Sequence, residues 1–382
     1  MLERLILVRY GEIFLKSEFV AKMYEKKLVE NIKRAFRLKN IKVKIKRERG
    51  RIFLKVWDLE ESCEILKKIF GIVSFSPAFH LKTSKLERIK SFIEKNYEKW
   101  IKKNETFAVR VKRVGEHKYT SQELASVLGS VVKRKVNLKN PDKEIFVEVR
   151  GKDTYVYTEI IKGLGGLPVS TSGKVLSLIS GGIDSPVAAW LMMKRGCKVV
   201  FVHFHSFPLV SKASIEKTKE LVKVLNQFQF KSKVYFIPFH KIQTQVKTKI
   251  PAKYRIIVYR RFMLRISEEI AKKEGIKALV TGENLAQVSS QTLDNITTIA
   301  EATKLQVFRP LLGMDKVEII DLAKKIGTYG ISIKPQEDCC SLFVPKHPAT
   351  KSDPKKIKTL EKNLKIKKLV KDALKETEVI TI

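Results

Sequence analysis

Apolar and polar positions change period several times along the chain, and those changes mark its organisation. Residues 2–9 (LERLILVR) are dense in branched apolar side chains and predict a strand. Residues 17–37 place Phe19, Met23, Leu28, Ile32 and Phe36 at helical spacing behind Ser17, a candidate N-cap. IKVKIKRE (41–48) alternates apolar with basic positions, and RIFLKVW (51–57) follows across Arg49-Gly50, which predicts a hairpin with one solvated face. A short helix over 60–70 completes a small α+β unit. A second unit begins with a helix over 84–102 and the strand TFAVRVKRV (106–114). A helix from Ser121 and two adjacent strands, KEIFVEVRG and DTYVYTEII, complete it.

Residues 163–173 (GLGGLPVSTSG) combine several glycines with Pro168 and read as a linker. Beyond it strand and helix alternate. Strands are predicted over 174–180, 197–205, 233–239 and 277–283, with helices over 186–195, 211–228 and 253–274 between them. This rhythm argues a doubly wound parallel sheet. Lysine-rich 355–377 predicts a further helix. The expected class is therefore α/β, with a C-terminal doubly wound parallel-sheet domain over 174–382. Two small α+β domains, over 1–58 and 59–165, precede it, and 166–173 is the linker.

Charge narrows the function. Lysine plus arginine number 77 against 40 acidic residues, a net charge of +37. Residues 1–150 alone hold 37 basic and 19 acidic side chains, so the excess is no tail. A globular chain this positive throughout implies a polyanionic partner, nucleic acid first. On strand 106–114, Arg110 and Lys112 share one face and Arg113 lies on the other, with Lys118 close in sequence. They form either a phosphate-contacting surface or a solvated strand face. The four cysteines, Cys63, Cys197, Cys339 and Cys340, are too few for a disulfide scaffold and suit a reducing, cytoplasmic setting. MLERLILVRY shows no secretory signal, and no apolar run of about 18 residues suggests a membrane helix.

The sharpest local signal is Ser180-Gly181-Gly182-Ile183-Asp184-Ser185, between a predicted buried strand and a predicted helix. Its glycines permit a tight turn and close backbone approach, and amides converging at a helix N-terminus make an anion site. It lacks the Walker A and Gly-x-Gly-x-x-Gly spacings. His203 and His205 share a strand face but have no nearby carboxylate, so pocket lining is preferred to metal ligation. Cys339 and Cys340 lack zinc-ligand spacing. No structural metal is expected.

SGGIDS resembles the PP-loop of the ATP pyrophosphatase superfamily, which cleaves ATP to AMP and pyrophosphate while adenylating a substrate. The longer run GLPVSTSGKVLSLISGGIDSPVAAWLMMKRG resembles the tRNA 4-thiouridine synthetase (tRNA uracil 4-sulfurtransferase) branch. LVRYGEIFLKSEFVAKMYEKKLVENI resembles that family's ferredoxin-like domain, and FAVRVKRVGEHKYTSQELASVLGSVV its RNA-binding THUMP domain. TGENLAQVSSQTLDNI resembles its second nucleotide-site segment, and EDCCSLFVPKHPATK its cysteine motif.

The resemblance implies that Leu178 and Ile179 meet adenine and that Ser180, Gly181, Gly182 and Ser185 hold phosphates. His203, Phe204, Arg260, Gly282 and Gln291 would complete the ATP site. Asp184 would be a magnesium-linked or loop-organising carboxylate, making ATP with Mg²⁺ the implied cofactors. Cys339 would carry persulfide sulfur, with Lys334 and Lys346 favouring its thiolate and Cys340 or Cys197 as redox partner. Arg110, Lys112, Arg113 and Lys118 would contact tRNA, modified at uridine 8. Longer members carry a rhodanese domain, tied to sulfur supply for thiamine. This sequence stops at Ile382 without one, which implies a separate donor, a cysteine desulfurase or another persulfide protein. The oligomeric state stays open. So do two alternative classes: a PP-loop enzyme using another nucleophile, which would not need Cys339, and a non-catalytic RNA-binding protein. Intact SGGIDS beside EDCC opposes both.

Overall fold

The computed structural model describes residues 3–48, 50–335, 343 and 347–382. They form two compact units that divide after Gly166. The first contains β1 (Glu3–Tyr10), α1 (Glu18–Leu38), β2 (Val43–Glu48), β3 (Arg51–Val56), α2 (Leu59–Leu66) and β4 (Ile72–Leu81). It continues with α3 (Leu86–Trp100), β5 (Phe107–Val114), α4 (Ser121–Ser130), β6 (Lys143–Arg150), β7 (Asp153–Tyr157) and β8 (Ile161–Lys162).

The two α+β segments share one sheet, ordered β2-β3-β1-β4-β7-β6-β5, with β8 also on β4. The join is β4, which pairs with β1 along its length and with β7 through Phe79–Leu81. Period-two alternation explains the two faces of β1. Ile6, Val8 and Tyr10 pack in the core beneath α1 and α2, while Leu5 and Leu7 join Phe53, Tyr155 and Tyr157. A separate core joins α3 and α4 to β5 and β6. On α1, Leu28, Ile32 and Phe36 are buried as the spacing predicts, but Phe19 and Met23 are exposed. The buried stripe runs instead through Ala21, Tyr24 and Leu28. Phe19 and Met23 form a second i, i+4 row on another face.

The second unit contains β9 (Lys174–Leu178), α5 (Asp184–Lys194), β10 (Lys198–His205), α6 (Ala213–Gln229), β11 (Lys233–Pro238), α7 (His240–Lys249) and α8 (Arg255–Glu274). Then follow β12 (Ala278–Val280), α9 (Leu293–Ala300), β13 (Gln306–Phe308), α10 (Lys316–Ile326), α11 (Tyr329–Ser332), α12 (Pro354–Glu361), α13 (Ile366–Lys375) and β14 (Glu378–Thr381). Its sheet runs β13-β12-β9-β10-β11-β14, parallel except for β14. The chain steps from β9 outward to β10 and β11, then returns to the other flank of β9 at β12. Strand order thus reverses at β9, and doubly wound sheets bind ligands outside the strand carboxyl ends at such a point.

Three elements differ from expectation. Lysine-rich 355–377 is two helices, separated at Lys362–Lys365. α7 (HKIQTQVKTK) has only Ile242 and Val246 as apolar anchors, too few to mark a helical period. β14 closes the β11 edge as a short antiparallel strand. Residues 167–173 are hydrogen-bonded into the second unit. Leu167 N donates to Lys194 O, Ser172 N to Gly196 O and Lys198 N to Gly173 O.

Candidate active site

The loop after β9 forms where two glycines separate a buried strand from a helix buried nearly all round. Val187, Ala188, Ala189, Trp190 and Met193 of α5 are all in the core. Pro186 sits in the helix's first turn, where its missing N–H costs no helical bond. The serines fold the loop on itself. Ser180 N donates to Ser185 Oγ at 2.9 Å, the two hydroxyls lie 3.1 Å apart, and Gly182 N donates to Ser180 Oγ at 3.3 Å.

Gly282, in the loop after β12, lies hard against this turn. A Cβ there would sit 2.7 Å from Ser185 N and 2.8 Å from its Cα. Backbone cannot give way as a flexible side chain can, so any side chain at 282 pushes the two loops apart. Gly282→Ala is expected to raise the Kd for ATP at least about tenfold, from misplacement alone, while far-ultraviolet circular dichroism stays unchanged. Calorimetric titration with ATP checks this.

Between these loops lies a cavity of about 210 Å³. Leu178, Ile179, Ser180, Gly182, Asp184, Ser185, His203, Phe204, Arg260, Gly282 and Gln291 all line it. Residues drawn from β9, β10, α8 and two loops therefore meet at the switch point. Gly181 is the one member of the expected ATP set absent from the lining. Arg260 Nε and Gln291 Oε1 are buried without a hydrogen-bond partner among the described residues.

Several site residues escaped sequence reasoning. Lys316, the first residue of α10, donates to Asp184 Oδ1 at 2.5 Å, and Gln287 Nε2 donates to Oδ2 at 3.0 Å. Glu283, a buried residue of the cavity lining, accepts from Arg260 at 2.9 Å, Arg309 at 2.7 Å and the Thr281 hydroxyl at 2.9 Å. Burial pushes its carboxyl up, but the two guanidiniums prevail and hold it below the usual range. Glu283 thereby fixes the rotamer of Arg260 at the cavity wall. The only sequence cue to Glu283 was TGEN; Lys316 and Arg309 had none, since a lone cation among 77 is unmarked.

His203 is fully enclosed. Its Nδ1 lies 2.9 Å from Ile179 O and its Nε2 3.4 Å from Ser214 Oγ. Burial pushes its pKa down to about 4, and burial with neighbouring His203 and His240 does the same to His205. Both imidazoles are neutral at pH 7. An unfolded chain binds protons at these histidines below pH 6.5 that the native state refuses until about pH 4. Stability is therefore full above 6.5 and falls as pH drops towards 4, by about 1.4 kcal/mol per pH unit for each histidine. Urea midpoints from pH 7 to 5 should show this slope, and His203→Gln should make it shallower.

The cysteine motif is anchored on both sides. Before it, Ser332 Oγ donates to Gly182 O at 3.2 Å, and Lys217 Nζ donates to Ser332 O and Lys334 O. At its carboxyl end, Asn295 Nδ2 donates to Ala349 O at 2.8 Å and Thr292 Oγ1 to Thr350 O at 2.7 Å. Within it, Lys247 Nζ lies 4.4 Å over the Phe343 ring. Cys339, Cys340 and Lys346 lie outside the described residues. Cys197 is buried at the amino end of β10, six residues before His203, a separation of roughly 20 Å along a strand. Burial pushes its thiol pKa up. This position takes Cys197 away from the cavity.

On the first unit, β5 is the edge strand. Lys112 and Lys118 are exposed, whereas Arg110 is bonded to Glu144 at 2.7 Å and to Leu138 O at 2.8 Å. Arg113 is half-buried. No described helix is long and apolar enough to cross a membrane.

Residues 170–366 match the family described as "Thiamine biosynthesis protein (ThiI)", residues 5–76 the ThiI ferredoxin-like domain and residues 84–159 the THUMP domain. A probable tRNA sulfurtransferase of Acetivibrio thermocellus is 43% identical, covering 100% of this chain and 99% of the relative. One from Coxiella burnetii is 40% identical with 100% of both covered. Among solved structures, a 4-thiouridine synthetase in complex with RNA and bound ATP superposes with a TM-score of 0.90 at 38% identity, covering 100% of both chains. PH1313 from Pyrococcus horikoshii gives 0.68 at 26% identity over 85% of this chain and 99% of its own. With the family's three segments matched in order and relatives similar from end to end, the chain belongs to the ThiI family of tRNA sulfurtransferases.

Proposed function

We propose that the protein uses ATP to adenylate a uridine of tRNA, position 8 by resemblance, and then replaces its O4 with sulfur to give 4-thiouridine. The observation that carries this reading is the bond from Ser332 to Gly182, which ties the chain leading to the cysteine motif to the phosphate loop. Adenylation acts on O4 and sulfur delivery on the C4 that bears it, and this tie supports a reading in which one site serves both steps.

The first step is attack of uridine O4 on the α-phosphorus of ATP, with loss of the N3 proton and departure of pyrophosphate. Amides at the amino end of α5 would meet the charge that develops on the leaving pyrophosphate. Lys316, bonded to the cavity-lining Asp184, would add a cation close to it. Arg260, held by Glu283, supplies a fixed cation in the cavity lining. Both Asp184 oxygens accept, from Lys316 and Gln287. Asp184 would therefore hold Mg²⁺ only by giving up one of these partners, and its loop-organising role is the one the contacts support. Glu283 is likewise held by Arg260, Arg309 and Thr281.

In the second step the terminal sulfur of a Cys339 persulfide attacks C4 and AMP leaves with the oxygen. A second thiolate then attacks Sγ of Cys339, breaking the S–S bond. 4-Thiouridine is released and a disulfide remains, which an external thiol reduces. Cys340 or a cysteine of the persulfide donor supplies that thiolate. The cytoplasm suits this thiol cycle.

Formation of AMP and pyrophosphate that depends on added tRNA tests the reading. Equal rates with and without tRNA would remove tRNA as the adenylated substrate. The +37 chain should also bind tRNA less tightly as salt rises, because each neutralised phosphate releases counterions. Lys112→Ala with Lys118→Ala should lower affinity severalfold and flatten the plot of log K against log salt by about 1 for each phosphate the protein no longer neutralises. Arg110→Ala should do less, since Arg110 already spends its guanidinium on Glu144. Fluorescence anisotropy with labelled tRNA measures all three.

A further inference from the structure

The second unit carries another concavity, a groove of about 630 Å³ between α12, α13 and the end of α9. It borders α8 through Arg261 and Arg265, a face next to the one that turns Arg260 and Leu264 to the active-site cavity. The acids beside it are already engaged. Glu361 is buried and accepts from Arg261 at 2.9 and 3.0 Å and from Arg265 at 2.7 Å twice. Glu301 pairs with Lys358 at 2.8 Å. Lys362, Lys365, Lys367 and Lys368 line the groove, are exposed, and have no carboxylate partner among the described residues.

The composition of α13 is not what solvation alone requires. Ile366, Leu369, Val370 and Ala373 recur at helical spacing and pack on the core. The remaining arc holds Lys365, Lys367, Lys368, Lys371 and Lys375 with Asp372 the one acid before Glu376. Lysines three or four apart repel one another, and a solvating arc relieves this by mixing in glutamates. An arc that keeps the repulsion suits a fixed array of negative charge outside the protein. No aromatic side chain lines the groove, so it has no platform for stacking bases.

We propose that this groove binds the phosphate backbone of the tRNA substrate. The proposal rests on the reading of tRNA as substrate and adds a second, sequence-independent contact on the unit that carries the chemistry. The location is apt. α12 starts at Pro354, just after the cysteine motif, and Thr298 Oγ1 on α9 donates to Ser352 O at 3.1 Å. A phosphate held here fixes RNA beside the point where the cysteine segment rejoins the fold.

The test uses the full chain with Lys362, Lys365, Lys367 and Lys368 all changed to Gln, and a matched set changed to Arg. Because the four side chains are exposed, both sets should keep wild-type ATP affinity and thermal unfolding. At about 0.15 M salt the Gln set should bind unmodified tRNA at least about tenfold more weakly. Its salt plot should flatten by about 1 for each lysine that meets a phosphate, and the Arg set should match wild type. Unchanged tRNA affinity and slope in the Gln set overturn the proposal. So does unchanged tRNA binding with slower sulfur transfer from a purified persulfide donor, which would assign the groove to an acidic protein face. Wild-type protein that binds no tRNA would instead overturn the functional reading itself.

Discussion

Cys339→Ser should still consume ATP in the presence of tRNA and accumulate adenylated tRNA, while 4-thiouridine falls by at least about a thousandfold. Adenylation needs the phosphate loop, a positioned uridine oxygen and the cations around the cavity, none of which is a thiol. The second step needs a sulfur nucleophile at C4. A serine hydroxyl can neither hold sulfane sulfur nor close a disulfide. Cys340→Ser separates the ways of resetting the enzyme. If Cys340 resolves the persulfide, that variant completes about one turnover and stalls until reductant is added. Cys197→Ser should turn over normally, because its thiol is buried at the far end of β10. Single- and multiple-turnover yields, read from the near-ultraviolet absorbance of 4-thiouridine, distinguish these outcomes.

Lys316→Ala should lower the adenylation rate by about 10²–10³, the usual loss when one preorganised charge facing a developing anion is removed. Its effect on tRNA affinity should stay within the small change expected for one cation among 77. Asp184→Ala should produce a similar loss by another route. The Asp184 carboxylate holds Lys316 Nζ at 2.5 Å and Gln287 Nε2 at 3.0 Å, so its removal frees both partners from the loop. The two losses should therefore be strongly non-additive in the double variant. Additive losses would mean that the pair does not act as one device. Pyrophosphate release under single-turnover conditions, with anisotropy for tRNA binding, measures both quantities.

These two sites differ in how far the sequence alone revealed them. SGGIDS was legible because its context, buried strand before and helix after, can be read from local periodicity. TGEN and Gln291 were legible only through resemblance. Gly282 owes its identity to the backbone of Ser185, about a hundred residues earlier, and no local pattern encodes that approach. Lys316, Arg309 and Glu283 share this property, since their partners lie far along the chain. On the fold, the alternation of 174–283 gave the parallel sheet, whereas the reversal of strand order at β9 is set by pairing between strands distant in the chain. It missed α7, whose anchors are two apolar residues, and β14, whose pairing with β11 closes an edge formed much earlier. The exposed row of Phe19 and Met23 shows the converse. A helical period fixes that a helix forms, but tertiary packing decides which of two apolar rows is buried.

The central claim is that one chain couples ATP cleavage at the SGGIDS loop to sulfur insertion into tRNA. The direct measurement is nucleoside analysis of unmodified tRNA after a single turnover with this protein, ATP, Mg²⁺ and a persulfide-loaded cysteine desulfurase, with AMP and pyrophosphate quantified in the same sample. The account predicts one 4-thiouridine for each AMP and each pyrophosphate formed. Sulfur entering tRNA without ATP cleavage, or ATP cleaved with tRNA left unthiolated by wild-type enzyme, would contradict it.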